Sequence, residues 1–171
     1  TGVVYFGGRV NPDGSVLSLM GAPPHLLARG DDPETGPVLA RMEEELRPSG
    51  FGLRLCGRRE FDRVFWKKLI LNVAASSVCA LERITHDQLG ASESGVELCV
   101  QLARECCAVA EAEGVLLRPE DVPLLPTRVT PVAAGKVQHY PSMAADAMAG
   151  RPTENEFFSG AVVRLAHARG V

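Results

Sequence analysis

The sequence predicts a mainly α-helical chain with a small α/β segment at its N-terminal end. From about residue 60 onwards, apolar residues recur three and four positions apart, which is the spacing of one face of a helix. Residues 1–58 instead contain short β-like runs around a single helical pattern. Gly114 and Gly170 follow helical patterns directly, and glycine is the preferred residue just after a helix.

In the α/β segment, β-branched and aromatic residues mark the strands, and turn residues separate them. The turn sequence Asn11-Pro12-Asp13-Gly14 predicts a hairpin. The predicted elements are strands at 3–6 and 15–19, a loop at 21–37, a helix at 38–47 and a strand at 51–56. This strand–helix–strand unit is too small for a large core of its own.

The helical part is predicted to contain four helices, at 60–81, at 92–113, from Ser142 to about Gly150, and at 153–169. The stretch 117–141 contains five prolines, so we expect turns and at most one short helix there.

Charge argues against a nucleic-acid partner, and hydropathy argues against a membrane span. The formal net charge is −3, and the basic residues are scattered along the chain. No apolar run approaches the roughly 20 residues that a membrane span needs. The N-terminal TGVVYFGG lacks the charged and long apolar regions of a signal peptide.

The cysteines and histidines predict neither disulfides nor a metal site. The five cysteines form no C-x-x-C pair, and their odd number is typical of a reduced, cytoplasmic protein. We expect them to be small core residues. None of the four histidines has the spacing of a metal ligand to a second histidine, cysteine or carboxylate pair.

Lys68, Asn72 and Ser76 form a polar stripe on an otherwise apolar helix. Their i, i+4, i+8 spacing places them on one face. A helix that is apolar nearly all round is buried, so a polar stripe on it must face partners or a wet cavity. A lysine in such a place has a lowered pKa and is suited to general acid–base chemistry. The alternative is a lysine that extends from a helix edge into water.

Glu154 and Ser142 each have a structural and a chemical interpretation. Thr153 and Glu156 fit a capping box at the start of the last helix, which leaves Glu154 to interact with the helix dipole or with a partner such as Lys68. Ser142 precedes a helical run, so it is either an N-cap or part of an anion-binding helix start.

Three motifs in order resemble the ketopantoate reductase (2-dehydropantoate 2-reductase) family. The family's W-x-K-L-x-x-N is matched by the sequence from Trp66 to Asn72. Its S-M-x-x-D is matched from Ser142 to Asp146, and its G-R-x-T-E from Gly150 to Glu154. The resemblance covers about residues 60–171 and, more weakly, residues 1–58.

The resemblance implies a fold and a reaction. Residues 59–171 would be a truncated helical substrate and dimerisation domain of the 6-phosphogluconate-dehydrogenase-like type, and residues 1–58 the remnant of a Rossmann-type domain. NADPH would reduce 2-dehydropantoate to pantoate, for pantothenate and coenzyme A synthesis. Lys68 would be the general acid, and Glu154 would pair with it or orient the substrate. Asn72, Ser76 and Ser142 would bind the substrate, and a homodimer through the helical domain is expected.

Two departures from the family pattern widen this expectation. The family has an asparagine at the place of Ser76, and T-E-I-D-x-x-N-G where this chain reads TENEFFSG from Thr153. No G-x-G-x-x-G or G-x-x-x-x-G-K-[ST] occurs, so NADPH would bind mainly to a dinucleotide-binding half that this partial copy lacks. We expect the chain alone to be inactive. The alternatives are a reductase of another 2-keto acid and a non-catalytic helical dimerisation module.

Overall fold

The structure is a computed structural model, and it describes residues 2–11, 13–20, 24–130 and 140–171. It divides into two compact units, Thr1–Phe65 and Trp66–Val171. The expected assignment of residues 1–58 and 59–171 to two domains stays a prediction, because compactness alone does not identify a domain's origin.

The first unit contains a three-stranded sheet and a separate hairpin. Its elements are β1 (Gly2–Val4), β2 (Phe6–Val10), β3 (Val16–Met20), β4 (Leu26–Arg29), α1 (Gly36–Leu46) and β5 (Leu53–Cys56). The sheet order is β1–β4–β5, with β1 antiparallel and β5 parallel to β4. Helix α1 is therefore the crossover that a parallel pair of strands requires.

The predicted hairpin exists, but its first strand lies later in the chain than expected. Strand β2 pairs with β3 from Phe6↔Met20 to Val10↔Val16, whereas residues 2–4 form β1 in the other sheet. The turn closes with the Gly14 N–H donating to the Asn11 carbonyl at 3.0 Å. Gly14 has a φ of 82°, which glycine adopts without strain.

The prediction of a loop over 21–37 is wrong at 26–29, where β4 forms the middle strand of the sheet. The apolar run there is only four residues long, and neighbouring prolines and glycines obscure it. Leu27 is almost fully buried and packs with Val3, Cys56 and Phe61. This cluster is small, as expected for so short a segment.

The second unit is helical and contains the larger core. Helix α2 (Arg58–Leu71) begins before the second unit's first residue, Trp66, and continues through a π-helical turn, Asn72–Ser76, into α3 (Ser77–Glu82). The remaining helices are α4 (His86–Gly90), α5 (Glu93–Ala112), α6 (Ser142–Met148) and α7 (Asn155–Arg169). The core packs α3, the π-turn and one face of α5 together, around Ile70, Ala74 and Cys99.

Helix α5 follows its prediction within one residue at each end. The Ser92 hydroxyl caps it by accepting from the Gly95 N–H at 3.1 Å. After it, residues 117–130 contain only one 3₁₀ turn, Pro119–Asp121, in agreement with the proline content. The rest of the proline-rich stretch, 131–139, lies outside the described residues.

The caps of the last two helices differ from the prediction. Pro141 is the N-cap of α6, and Ser142 is its first residue. The N-cap of α7 is Glu154, without a side-chain cap, so the predicted capping box of Thr153 and Glu156 is absent. Glu156 instead pairs with Arg164 further along the same helix.

The statement that no apolar run is long enough to span a membrane is also wrong. Residues Arg58–Glu82 form a helix of 25 residues that is long and apolar enough by length and composition. Half of its most apolar window is buried inside the structure, and the core helix of a soluble protein passes the same test. The helix is therefore weak evidence for a membrane span.

Candidate active site

Lys68 lies in the last turn of α2 and is partly buried, as is the adjacent Lys67. Burial lowers the pKa of the Lys68 ammonium below its ordinary 10.5, because desolvation disfavours the charged form. A lysine with a lowered pKa releases its proton more readily than an exposed one. This is the property that the sequence predicted for a general acid at this position.

The stripe above Lys68 is interrupted by the π-turn. Asn72 is the first residue of this turn, and its carbonyl accepts the N–H of Ser77, five residues later. A π-turn contains one residue more than an α-helical turn, so Ser77 rather than Ser76 lies one turn above Asn72. Ser76 is only 7% exposed. The spacing argument for a single face therefore fails at Ser76, and its role as a substrate ligand stays a prediction.

Ser77 is a residue that the sequence reasoning missed. Its hydroxyl has three acceptors within reach: the Asn72 carbonyl at 3.2 Å, the Asn155 Oδ1 at 3.1 Å and the Met143 Sδ at 3.7 Å. Asn155 Oδ1 also accepts from the Ser159 hydroxyl at 2.8 Å. A hydroxyl has a single hydrogen, so these three acceptors share it.

Through Ser77 the structure brings together the three segments that carry the predicted site residues. The polar helix carries Lys68 and Asn72. Met143 is adjacent to Ser142 in α6, and Asn155 is adjacent to Glu154 at the start of α7. Segments far apart in sequence thus meet at one side chain, as an active site made of several elements requires.

The side chains of Ser142 and Glu154 are exposed. The ion pairs within the described part of the chain do not include Glu154. The carbonyl of Glu154 accepts from the Phe157 N–H at 2.9 Å, which begins α7. The catalytic role of Glu154 and the substrate-binding role of Ser142 stay predictions.

Two further motif residues hold the turn between α6 and α7. The Arg151 guanidinium contacts the Asp146 carboxylate at 2.7 and 2.8 Å, and the Arg151 N–H donates to the Asp146 carbonyl at 2.9 Å. The pair is solvent-exposed, so it contributes little to stability. Together with the backbone bond, it connects α6 to the segment that leads to Glu154.

An apolar groove of about 890 Å³ lies in the second unit. Val78, Leu81, Leu102 and Val162 are among the residues that line it, and its polar end contains Ser77, Asn155 and Ser159. Lys68, Asn72 and Glu154 do not line it. The groove is therefore next to the polar stripe and does not enclose it.

The cysteines are core residues, as predicted. All five are free and buried. Burial raises the pKa of the Cys79 and Cys106 thiols to about 12 and that of Cys99 to about 11. These thiols stay protonated at neutral pH, which excludes them as nucleophiles, since the thiolate is the reactive form.

Comparisons with known proteins agree with the arrangement of these helices. The profile described as the C-terminal domain of ketopantoate reductase PanE/ApbA matches residues 60–171. A 2-dehydropantoate 2-reductase of Streptococcus pyogenes serotype M3 is 37% identical over 107 residues, which are 62% of this chain and 34% of that protein. One from Mycobacterium tuberculosis is 30% identical over 137 residues, 80% of this chain and 44% of that protein.

Solved structures show the same fold over both units. A dimeric ketopantoate reductase from Staphylococcus aureus superposes with a TM-score of 0.80, at 23% identity, over 99% of this chain and 55% of that one. A D-mandelate dehydrogenase in a ternary structure with NADH and anilino(oxo)acetate superposes with a TM-score of 0.78, at 21% identity, over 97% of this chain and 52% of that one.

The matches have two consequences. The chain spans about a third of the length of the Streptococcus relative that it matches. The predicted fold class is confirmed, since the structure is mainly helical with a small sheet and superposes on a ketopantoate reductase. With the family profile covering residues 60–171, the chain belongs to the ketopantoate reductase family and carries its C-terminal helical domain.

Proposed function

We propose that the protein carrying this chain reduces 2-dehydropantoate to pantoate with NADPH, and that this chain supplies the proton donor and the substrate-binding groups. The observation that carries the proposal is the partly buried Lys68, whose pKa is lowered, in the family's W-x-K-L-x-x-N motif. The 2-dehydropantoate 2-reductases among its relatives support the choice of reaction.

Lys68 and Asn72 suit a keto acid. Reduction of a ketone adds a hydride to the carbonyl carbon and a proton to the oxygen, where negative charge develops. The Lys68 ammonium donates that proton and stabilises the charge before the transfer. The Asn72 amide, one turn away, is a hydrogen-bond donor and acceptor for a substrate hydroxyl or carboxylate. Glu154 and Ser142 complete the site, with Glu154 as a partner of Lys68 or of the substrate.

The first unit fits a dinucleotide poorly. In its strand-to-helix turn after β4, the Asp32 carboxylate accepts the backbone N–H groups of Glu34 and Thr35, both at 3.0 Å. In a phosphate-binding turn those amides would face the pyrophosphate, and a carboxylate in their place repels it. We therefore assign NADPH, which supplies the hydride when bound, mainly to protein outside this chain, and we expect the chain alone to be inactive.

A second candidate is a reductase of another 2-keto acid on the same scaffold. The site differs from the family pattern at Ser76, Asn155 and Ser159, and two of these side chains belong to the polar cluster around Ser77. Serine is shorter than asparagine, so a substrate contact at Ser76 requires a water molecule or a larger substrate. The aromatic keto-acid analogue bound by the D-mandelate dehydrogenase neighbour illustrates such a substrate class for that protein.

The third candidate, a non-catalytic helical dimerisation module, is compatible with the apolar groove of the second unit. A homodimer through this unit is also part of the first proposal, and the dimeric Staphylococcus aureus neighbour is its precedent. We place the protein in the cytoplasm because its five free thiols suit a reducing compartment.

The test is a comparison of substrates with the full-length protein. NADPH oxidation is measured with 2-dehydropantoate, with smaller aliphatic 2-keto acids and with phenylglyoxylate. The first proposal predicts the highest kcat/KM for 2-dehydropantoate, and the second predicts it for another keto acid. Oxidation of NADPH with none of them would support the dimerisation module.

A further inference from the structure

The thiol of Cys99 contacts the π-turn of the polar helix. Its Sγ lies 3.1 Å from the carbonyl oxygen of Ala74 and donates to it. Ala74 is the middle residue of the π-turn, and Cys99 is on α5, 25 residues later in the chain. Both residues are fully buried, so water does not reach this carbonyl.

The turn that receives this hydrogen bond sets the geometry of the stripe. Because a π-turn adds a residue to the helix, it changes which side chains before and after it share a face. Buried carbonyls of such a widened turn need donors. At Asn72 they are the N–H and the hydroxyl of Ser77, and at Ala74 a donor is the Cys99 thiol.

A thiol is a weak donor, but here it is always available. Burial raises the pKa of Cys99 to about 11, so the hydrogen stays on the sulfur throughout the physiological range. Cys106 is another buried cysteine on the same face of α5, and its thiol makes no hydrogen bond to another described residue. Cys99 therefore differs from a cysteine that only fills core volume.

We propose that Cys99 is a positioning residue, which holds the π-turn in register and so places Asn72 and Lys68 in the geometry that catalysis uses. The proposal rests on the reductase function proposed above. A role in packing alone predicts a different ranking of variants, because packing depends on volume and not on a donated hydrogen.

Cys99→Ser and Cys99→Ala separate the two roles. Both are smaller than cysteine, and only serine donates a hydrogen bond. We expect Cys99→Ala to lower kcat by about tenfold, since misplacing a catalytic group by ~1 Å can cost up to about 10²-fold in rate. Cys99→Ser should recover most of this loss. The control pair Cys106→Ser and Cys106→Ala should show no advantage of serine.

A spectroscopic readout on the same full-length protein does not depend on activity. With ¹³C-labelled alanine, the carbonyl resonance of Ala74 should shift in Cys99→Ala, return towards its original position in Cys99→Ser, and stay unmoved in both Cys106 variants. If Cys99→Ala does not fold, Cys99→Val and Cys99→Thr provide a pair of similar volume in which only threonine carries a hydrogen-bond donor.

An unmoved Ala74 resonance in Cys99→Ala, or equal kcat for the serine and alanine variants, would overturn the positioning role. A wild-type protein that reduces no 2-keto acid contradicts the proposed function instead. In that case the Ala74 resonance could still shift in Cys99→Ala and return in Cys99→Ser. Cys99 would then hold the turn without any catalytic role, and this result also overturns the proposal.

Discussion

The backbone N–H of Ser77 donates to the carbonyl of Asn72, five residues earlier in the chain. This bond defines the π-turn, and the hydroxyl of the same serine lies 3.2 Å from the same carbonyl. Ser77 also contacts Met143, the second residue of α6 after Ser142, and Asn155, the first residue of α7 after its N-cap Glu154. One serine therefore connects the turn to the other two segments of the candidate site.

The contact between Ser77 and Asn155 should be measurable as a coupling free energy. We expect a double-mutant cycle of Ser77→Ala and Asn155→Ala, followed by urea unfolding, to give about 0.5–1 kcal/mol, the net contribution of an ordinary hydrogen bond. The control cycle replaces Ser77→Ala by Ser94→Ala, on an exposed part of α5 that does not contact Asn155. Its coupling should be within about 0.5 kcal/mol of zero. Equal coupling in the two cycles would argue against the contact.

The helix caps offer a second test, because two threonines have similar sequence contexts and different structures. Thr85 forms a true capping box with Gln88, with contacts of 2.9 and 3.2 Å, and is buried. Thr153 does not cap α7. Thr85→Ala should therefore lower the free energy of unfolding by about 1–2 kcal/mol. Thr153→Ala should change it by less than about 0.5 kcal/mol. A comparable loss of unfolding free energy in Thr153→Ala would contradict this structure and support the capping box that the sequence predicted.

The lowered pKa of Lys68 determines the sign of the pH dependence. A general acid acts in its protonated form, so kcat/KM should fall on the alkaline side as pH rises through the pKa of Lys68. Because burial lowers that pKa, the fall should be centred below the ordinary 10.5 of lysine. The measurement is a pH–rate profile of the full-length protein. Lys68→Arg should move the alkaline limb upwards, since arginine keeps its proton beyond pH ~12. If the alkaline limb of the Lys68→Arg profile is identical to that of wild type, a group other than Lys68 is responsible for the titration.

Much of the fold could be predicted from the sequence because it depends on local patterns. The 3–4 spacing of apolar residues defined α5 to within one residue, and a glycine marks its end. Strand β4 was missed because a four-residue central strand has too few positions to show a period. Its assignment depends on pairing with β1 and β5, which is not a local property.

The sequence could name candidate residues for the site but not the contacts between them. The motif identified Lys68 and Asn72, and the structure gives Lys68 the expected burial. Ser77 was missed because helical spacing assumes 3.6 residues per turn, and nothing in the letters NVAAS predicts a π-turn. The only hint of its role in the sequence was that this second serine directly follows Ser76. Asn155 was missed because its contact with Ser77 joins positions 78 residues apart.

The central claim is that Lys68 is the proton donor of a keto-acid reductase, and one comparison tests it most directly. Steady-state kinetics of the full-length protein are measured for Lys68→Ala and for Lys67→Ala, which removes the neighbouring charge from the same turn. The account predicts that Lys68→Ala lowers kcat by roughly 10²-fold or more, the usual contribution of a general acid, and that Lys67→Ala stays close to wild type. Unchanged turnover in Lys68→Ala, or an equal loss in both variants, would contradict it.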